Sequence, residues 1–236
     1  MANLNAKVST SNGETVPAYL ATAKEGSSAP GLVILQEIFG VNANMRRTAD
    51  RFAALGYNVL VPDLYWRLGE AIDIDPSDPD AHSRAGGFAQ QLDRKAALED
   101  ARAAALSLRQ QGNGSIKVGA VGYCLGGNFA YQLVTVPGFD AAVSYYGVGI
   151  EKVAQGDAVK VPLLMHIAGN DHLCPPNAQQ AIHAALDGSP NVTIIEHPGA
   201  GHGFARIGGA SFHAEAAESA DNATIAFLAK HLNGER

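Results

Sequence analysis

The sequence predicts an α/β fold, in which a mostly parallel central sheet is covered by helices on both faces. Short apolar, β-branched runs alternate with longer segments of helical periodicity along the 236 residues. Several of these runs are apolar throughout, which is typical of strands that are buried on both faces, as in parallel sheets. The length suits a single domain over residues 1–236, although a division into two domains is possible.

The predicted elements follow one another without an internal repeat. The N-terminal part, about residues 5–22, is expected to form an antiparallel hairpin at the edge of the sheet. Strands are predicted at 31–36, 57–62, 116–122, 141–147, 161–169 and 192–197, and helices at 42–55, 89–110, 125–135, 176–187 and 212–232.

The segment at 62–88 interrupts this alternation. It is long, acidic and rich in proline and aspartate. Long loops in compact domains are often lids or binding loops. We therefore predict a lid-like substrate-binding excursion here, with a solvated surface loop as the alternative.

Composition excludes several classes of partner and site. The net charge of −6, without a block of lysine or arginine, argues against binding to nucleic acid or anionic membranes. No apolar run approaches the ~18 residues of a membrane span, and the N-terminus lacks the pattern of a signal peptide. Cys124 and Cys174 form neither a CxxC motif nor a cluster with histidines, so no metal site is expected. Two cysteines fit a reducing cytoplasm, with one disulfide left open.

Polar residues follow the predicted strands at the points where the strands end. In an open α/β sheet, ligands bind beyond the carboxyl ends of the strands. The residues at these points are Gln36, Glu37, Asp63, Cys124, Asp171 and His202. Three of them have the chain order nucleophile, acid, histidine, which is the order of the α/β-hydrolase triad.

Cys124 is the candidate nucleophile. The run "GYCLG" at 122–126 matches the pattern glycine-x-nucleophile-x-glycine, in which glycines permit a sharp turn between a strand and a helix. The start of the following helix favours a thiolate and a developing oxyanion. The alternative is a buried cysteine that acts only as a small apolar side chain.

Asp171 and His202 are the candidate partners of this cysteine. Asp171 follows a predicted strand, where its carboxylate can accept a hydrogen bond from an imidazole Nδ1–H; the alternative is an Asx turn or a helix cap. His202 lies in a glycine-rich loop after the last predicted strand, and its alternative is a polar surface residue. His172 and His197 are the histidines that compete with it.

Two backbone amides and one carboxylate complete the predicted site. The oxyanion donors are expected to be the N–H of Leu125 and an N–H from the loop after the first long strand, at Ile38. Glu37 can hold a facing thiol protonated or accept its proton. Its alternative is a solvated loop glutamate.

With these motifs in place, the chain resembles the dienelactone hydrolase family, the carboxymethylenebutenolidases, over essentially its whole length. The similar segments are "QEIFGVN" at 36–42, "PDLY" at 62–65, "VGYCLGG" at 121–127, "YYGVG" at 145–149, "GNDH" at 169–172 and "GHGFAR" at 201–206. The resemblance implies an α/β-hydrolase fold and hydrolysis of dienelactone to maleylacetate, a step in the degradation of chlorinated catechols. It also implies a triad of Cys124, Asp171 and His202, with Glu37 near the thiol.

The resemblance further implies that arginines bind the carboxylate of the substrate. Arg206 matches this role directly and Arg84 matches it less closely, while Tyr146 in the "YYGVG" segment is a further predicted substrate-binding residue. Similar family members often carry a serine after the histidine and a tyrosine four residues after the lid arginine. Here those positions hold Gly203 and Phe88.

The expected reaction is attack of a Cys124 thiolate on an enol-lactone, followed by hydrolysis of the thioester with help from His202. No cofactor is needed, the partner is a small anionic lactone, and a monomer is the simplest expectation. One alternative is a broader carboxylesterase or thioesterase that uses the same site. Another is a non-catalytic redox sensor that uses Cys124, with Cys174 as the resolving thiol.

Overall fold

The computed structural model describes residues 3–69 and 71–233. The strands are β1 (Ala6–Ser9), β2 (Thr15–Ala21), β3 (Gly31–Leu35), β4 (Asn58–Pro62), β5 (Val118–Tyr123), β6 (Ala141–Tyr145), β7 (Leu163–Ala168) and β8 (Val192–His197). The helices are α1 (Ala43–Ala54), α2 (Ala81–Gln91), α3 (Arg94–Gln111), α4 (Leu125–Leu133), α5 (Pro176–Leu186) and α6 (Ala214–Leu228). The strands form one mixed sheet in the order β1-β2-β4-β3-β5-β6-β7-β8, which confirms the predicted fold class.

The chain divides into two compact units, Met1–Gly119 and Ala120–Arg236, so the single domain over residues 1–236 stays a prediction. In the first unit, β1 and β2 form an antiparallel hairpin, and β2 pairs antiparallel with β4. This arrangement confirms the predicted N-terminal hairpin. β3 and β4 are parallel and are buried along their whole length, as expected for apolar runs of this kind.

Small side chains let α3 lie close to β3. The residues that α3 buries are mostly alanines, at Ala97, Ala101, Ala104 and Ala105. A Cβ added at Gly31 in β3 would lie 3.1 Å from Leu108 Cβ and 3.0 Å from Val118 Cγ2. A larger residue at position 31 would therefore need the helix or Val118 to shift by a few tenths of an ångström.

The structure corrects the prediction of one long helix at 89–110, because two helices, α2 and α3, cover this region. Leu92 between them is extended, with φ −65° and ψ 123°. The next residue, Asp93, caps α3, because its carboxylate accepts hydrogen bonds from the amides of Lys95 and Ala96, each at 3.0 Å. The continuous apolar periodicity concealed this local cap.

The excursion predicted at 62–88 is also shorter than expected, because α2 covers its last residues. Its last part is helical, because α2 already begins at Ala81. Gly86 and Gly87 lie inside α2, and glycine costs about 1 kcal/mol relative to alanine within a helix. The loop was predicted from the prolines and aspartates of the segment, all of which precede Ala81.

The excursion is attached to α3 by a partly buried ion pair. Asp100 is buried on α3 and accepts hydrogen bonds from Trp66 Nε1 at 3.0 Å and from Arg67 Nη1 at 2.6 Å and Nη2 at 3.1 Å. Arg67 also contacts Glu14 at 2.7 Å. Burial raises the pKa of the nearby Asp63 to about 6, and the charge of Asp100 adds to the effect. The start of the excursion is therefore fixed to α3.

A second set of contacts holds the middle of the excursion. Gly40 forms an isolated antiparallel bridge with Asp73, which is paired with Arg46 at 3.0 Å. A Cβ added at Gly40 would lie 1.9 Å from the carbonyl oxygen of Ile72. Ile72 and Ile74 are both buried. This part of the segment is packed rather than solvated, while its role as a lid stays a prediction.

In the second unit, β6, β7 and β8 are parallel neighbours. β6 and β7 are buried throughout, whereas several residues of the edge strand β8 are partly exposed. Helix α4 lies close to the end of β6, because a Cβ at Gly127 would lie 2.7 Å from Tyr145 O and 2.8 Å from Gly147 Cα. Ser144 Oγ donates a hydrogen bond to the Gly127 carbonyl at 2.9 Å. Among the described residues, no helix combines the length and the apolar character that a membrane span requires.

Replacing the buried carboxylate of Asp100 tests this anchoring. We expect Asp100→Asn to lower the free energy of unfolding by about 1–3 kcal/mol, because the Arg67 guanidinium loses the more buried of its two charged partners. The neighbouring Glu99→Gln is the matched control, since Glu99 is 57% exposed and its pairing with Arg102 is worth less than about 1 kcal/mol. Urea unfolding measures both variants, and equal losses would contradict the anchoring role.

Candidate active site

Cys124 lies on a strained turn between β5 and α4. Its φ of 55° and ψ of −111° are unusual for a residue with a side chain. The backbone is tied down on both sides: its N–H donates to Tyr145 O at 3.0 Å, and its carbonyl accepts from Asn128 N at 3.3 Å and Val148 N at 3.4 Å. These contacts hold the thiol at the start of α4.

The glycine before this cysteine has a direct steric cause. A Cβ added at Gly122 would lie 1.9 Å from the carbonyl oxygen of Gly126. The chain therefore passes so tightly from strand to helix that only glycine fits at position 122.

Asp171 and His202 lie in contact. Asp171 Oδ2 lies 2.8 Å from His202 Nδ1, and both side chains are largely buried. Asp171 Oδ1 also accepts a hydrogen bond from Leu173 N at 2.8 Å, which is the geometry of an Asx turn. Asp171 thus forms an Asx turn and also contacts the imidazole, while its role as the acid of a triad stays a prediction. The turn holds the carboxylate while its second oxygen faces the imidazole.

The charge state of His202 depends on both of its partners. Burial lowers the pKa of His202, but the hydrogen bond to Asp171 and the thiol of Cys124 outweigh burial and raise this pKa to about 10. The Nε2 atom is buried. This arrangement favours an imidazolium at His202, with the Asp171 carboxylate at Nδ1.

Tyr146 lies against the histidine. Its φ is 37°, and its N–H donates to the His166 carbonyl at 2.8 Å. Its ring meets the ring of His202 edge-on at 5.1 Å and the ring of Phe204 at 5.4 Å. Tyr146 is buried, so its most direct effect is to hold His202 in place. Its contact with substrate stays a prediction.

Arg206 lies in the loop that also carries His202. Its N–H donates to the carbonyl of Gly203 at 2.9 Å, and the residue is only 9% exposed. Leu125 is the first residue of α4, where backbone N–H groups have no partner within the helix.

The remaining predicted site residues belong to the first unit. Glu37 is buried, with 1% exposure, and Ile38 follows it in the turn after β3. Arg84 lies on α2, where its side chain is 53% exposed and lies 3.7 Å from Asp80. The ring of Phe88 packs against Tyr65, with the ring centroids 5.9 Å apart. The roles of these residues at the site stay predictions.

A buried polar network behind the site was not predicted from the sequence. His166 Nδ1 lies 3.1 Å from His197 Nε2, and His166 Nε2 lies 3.1 Å from Thr224 Oγ1. Thr224 Oγ1 lies 2.7 Å from the Tyr145 hydroxyl, which also donates to Ala220 O at 3.2 Å. The sequence signal for this network was the presence of polar residues inside otherwise apolar strands. The partners that His166 and Tyr145 have in α6 lie more than 50 residues away along the chain, so the pattern did not reveal them.

This network contacts the backbone of both strained residues, Cys124 and Tyr146. The backbone carbonyl of Tyr145 accepts a hydrogen bond from the N–H of Cys124, and that of His166 accepts one from the N–H of Tyr146. Burial lowers the pKa of His166 to about 3, and His197 adds to the effect, so the ring is neutral at pH 7. The network therefore fixes the strands from which the strained turns begin.

Cys174 has a different character from Cys124. Both thiols are free and buried. Burial raises the pKa of Cys174 to about 11, and the carboxylates of Asp171 and Glu151 add to the effect. A thiol that stays protonated at neutral pH resolves sulfenic acids slowly, which disfavours the redox-sensor alternative. Over residues 3–69 and 71–233, the structure contains no group of three or more histidine, cysteine or acidic side chains that could hold a metal ion.

Comparison with known proteins gives a consistent family. The model of the dienelactone hydrolase family matches residues 16–232. The carboxymethylenebutenolidase of Pseudomonas putida is 41% identical over 203 residues, which cover 85% of this chain and 86% of that protein. The carboxymethylenebutenolidase of Pseudomonas sp. strain P51 is 36% identical over 200 residues, or 84% of each chain. A crystal structure described as a candidate dienelactone hydrolase of Klebsiella pneumoniae subsp. pneumoniae has a TM-score of 0.81 at 26% identity, and covers 95% of this chain and 98% of its own.

The neutral His166 predicts an acid-sensitive contribution to stability. The unfolded chain protonates this histidine below pH 6.5, whereas the fold resists protonation down to about pH 3. The contribution is therefore present above pH 6.5 and is lost as the pH falls, by up to about 2 kcal/mol at pH 5.

Urea titration at pH 7 and at pH 5 measures how much unfolding free energy is lost between the two pH values. We expect the difference to shrink in His166→Asn and to stay unchanged in His82→Asn, which replaces an exposed histidine of the first unit. An unchanged difference in His166→Asn would contradict the role of its burial.

Proposed function

We propose that this chain, which belongs to the dienelactone hydrolase family, opens dienelactone-type enol-lactones through a thioester on Cys124. Membership of this family makes the chain a hydrolase that acts on ester bonds. The observation that carries the finer proposal is the contact of His202 with Asp171 at 2.8 Å, together with the effect of Cys124 on the pKa of His202.

The first step is formation and attack of the thiolate. His202 Nε2 accepts the proton of the Cys124 thiol, and the Asp171 carboxylate stabilises the resulting imidazolium. The raised pKa of His202 supports this proton position. The thiolate sulfur then bonds to the carbonyl carbon of the lactone, and the carbonyl oxygen becomes an oxyanion.

The start of α4 supports the oxyanion. The N–H of Leu125 directly follows the nucleophile and belongs to the first helical turn, where the helix dipole favours negative charge. Loss of one such donor typically costs about 3 kcal/mol of transition-state stabilisation.

The choice of a lactone follows from the leaving group. Collapse of the oxyanion breaks the ring C–O bond and expels an enolate, which needs little acid help. The enolate takes up the proton of the His202 imidazolium, which gives the ketone of maleylacetate and leaves His202 neutral. A thiol is a strong nucleophile when ionised but a weak proton carrier, so amides and esters with poor leaving groups should react slowly.

The second half of the reaction regenerates the enzyme. Once neutral, His202 accepts a proton from water, and the hydroxide equivalent attacks the thioester carbonyl. The C–S bond breaks, the carboxylic acid product leaves, and Cys124 returns to its thiolate or thiol form. Arg206 binds the carboxylate that the substrate already carries, because its planar guanidinium can pair with both carboxylate oxygens.

Turnover of three substrate classes tests this function. We expect the wild type to hydrolyse dienelactone faster than an aryl acetate or an acyl thioester, because only the lactone carries both the enolate leaving group and the carboxylate. Cys124→Ala and His202→Gln should each lose at least about 10³-fold in lactone turnover. Cys174→Ala is the matched control, since it removes the other buried thiol, and it should stay within about 3-fold of wild type.

Two outcomes contradict the proposal in different ways. Faster turnover of aryl acetate or thioester, lost in Cys124→Ala, would identify a broader esterase or thioesterase on the same site. Unchanged lactone turnover in Cys124→Ala would show that the mechanism itself is wrong.

A further inference from the structure

Asn128 lies in α4, four residues after the candidate nucleophile, and is only 3% exposed. Its backbone N–H donates to the Cys124 carbonyl at 3.3 Å, and its side-chain Nδ2 donates to the Val148 carbonyl at 2.9 Å. The N–H of Val148 in turn donates to the same Cys124 carbonyl at 3.4 Å. Cys124, Asn128 and Val148 are therefore joined by a closed ring of three hydrogen bonds.

The orientation of the Asn128 amide follows from its two neighbours. The Val148 carbonyl can only accept a hydrogen bond, so the amide nitrogen must face it. The amide oxygen then faces Gln132, whose Nε2 donates to Asn128 Oδ1 at 2.6 Å. Gln132 lies one turn further along α4, where side chains at i and i+4 are neighbours. The rigid helix therefore fixes the donor that holds Val148.

The turn that this bond holds, at 146–149, touches both halves of the candidate site. Val148 contacts the carbonyl of Cys124, and the ring of Tyr146 meets the ring of His202 at 5.1 Å. Tyr146 has a φ of 37°, which a residue with a side chain keeps only where its surroundings compensate for the strain. A hydrogen bond to the middle of this turn therefore acts on the thiol and the imidazole together.

We propose that Asn128 is a positioning residue, whose amide locks the 146–149 turn against the backbone of Cys124 and so keeps the thiol within reach of His202. This inference rests on the proposed role of Cys124 as the nucleophile. Without the amide, the Val148 carbonyl and its turn can move, and a displacement of about 1 Å at a reacting group can cost about 100-fold in rate. Both ends of the Asn128 amide are bonded within the protein, so the loss falls on kcat rather than on KM.

Helix α4 also supplies a matched control. Tyr131 is 1% exposed, and its hydroxyl accepts a hydrogen bond from Gln155 N at 2.7 Å. Asn128→Leu and Tyr131→Phe each remove a buried hydrogen bond between α4 and a loop, but only Asn128→Leu releases the turn that contacts Cys124. Leucine branches at Cγ as asparagine does, so the shape of the side chain changes little.

The experiment measures turnover and thiol reactivity in the full-length protein and in both variants. With dienelactone, we expect Asn128→Leu to lower kcat roughly 10- to 100-fold, while KM stays within about 3-fold of wild type. Alkylation by iodoacetamide, read on the peptide that contains Cys124, should slow at least about 3-fold, because a thiol that loses its contact with an imidazole ionises less readily. Tyr131→Phe should leave all three values within about 2-fold of wild type.

A second variant keeps the test decisive if Asn128→Leu does not fold, which urea unfolding reveals. Gln132→Met removes only the donor that orients the Asn128 amide. It should lower kcat and the alkylation rate by a smaller factor, about 3-fold. The positioning role would be overturned by values in Asn128→Leu that match Tyr131→Phe, or by a rise in KM in place of the fall in kcat. Wild-type values in Gln132→Met, when Asn128→Leu does not fold, would overturn it as well.

Cys124→Ala separates failure of the positioning role from failure of the proposed function. Loss of lactone turnover in Cys124→Ala, with lower kcat and slower alkylation in Asn128→Leu, supports both. Loss of turnover in Cys124→Ala, with Asn128→Leu equal to Tyr131→Phe, overturns only the positioning role. Unchanged turnover in Cys124→Ala overturns the proposed function, and the alkylation rate alone then decides whether Asn128 positions the thiol.

Discussion

The candidate active site depends on the strained backbone of Cys124, which is held between β5 and α4 at φ 55°. A residue with a side chain keeps this conformation only where surrounding contacts compensate for its cost of about 1–3 kcal/mol. Hydrogen bonds to Tyr145, Asn128 and Val148 provide that compensation. The close approach of Gly122 to the Gly126 carbonyl adds a steric requirement for glycine. The thiol is thus positioned by the fold before any substrate binds.

The same region determines where charge lies. His202 has a carboxylate on Nδ1 and the thiol near Nε2, and together they raise its pKa although it is buried. His166 lies behind the site and is neutral, because its ring is buried and its partners are a second histidine and a hydroxyl. Two buried histidines in one unit therefore have opposite protonation states. One is suited to moving a proton, and the other is suited to holding strands together.

Sequence patterns predicted the features that depend on neighbouring residues. Periodicity predicted the strands of the sheet and the N-terminal hairpin. Polar residues at the strand ends pointed to Cys124, Asp171 and His202 as candidate site residues. The single helix predicted at 89–110 was wrong, because the Asp93 cap overrode a continuous apolar pattern. Contacts between distant positions, such as His166 with Thr224, could not be predicted, because they depend on tertiary packing.

The most direct measurement is mass spectrometry of the enzyme quenched during turnover of dienelactone. Opening a lactone leaves the leaving group attached to the acyl chain, so the acyl-enzyme gains the full mass of the substrate. We expect this gain on the peptide that contains Cys124, with accumulation in His202→Gln if hydrolysis of the thioester is slowed more than acylation. Adduct on another residue, or turnover that continues after Cys124 has been alkylated, would contradict the role of this cysteine as the nucleophile.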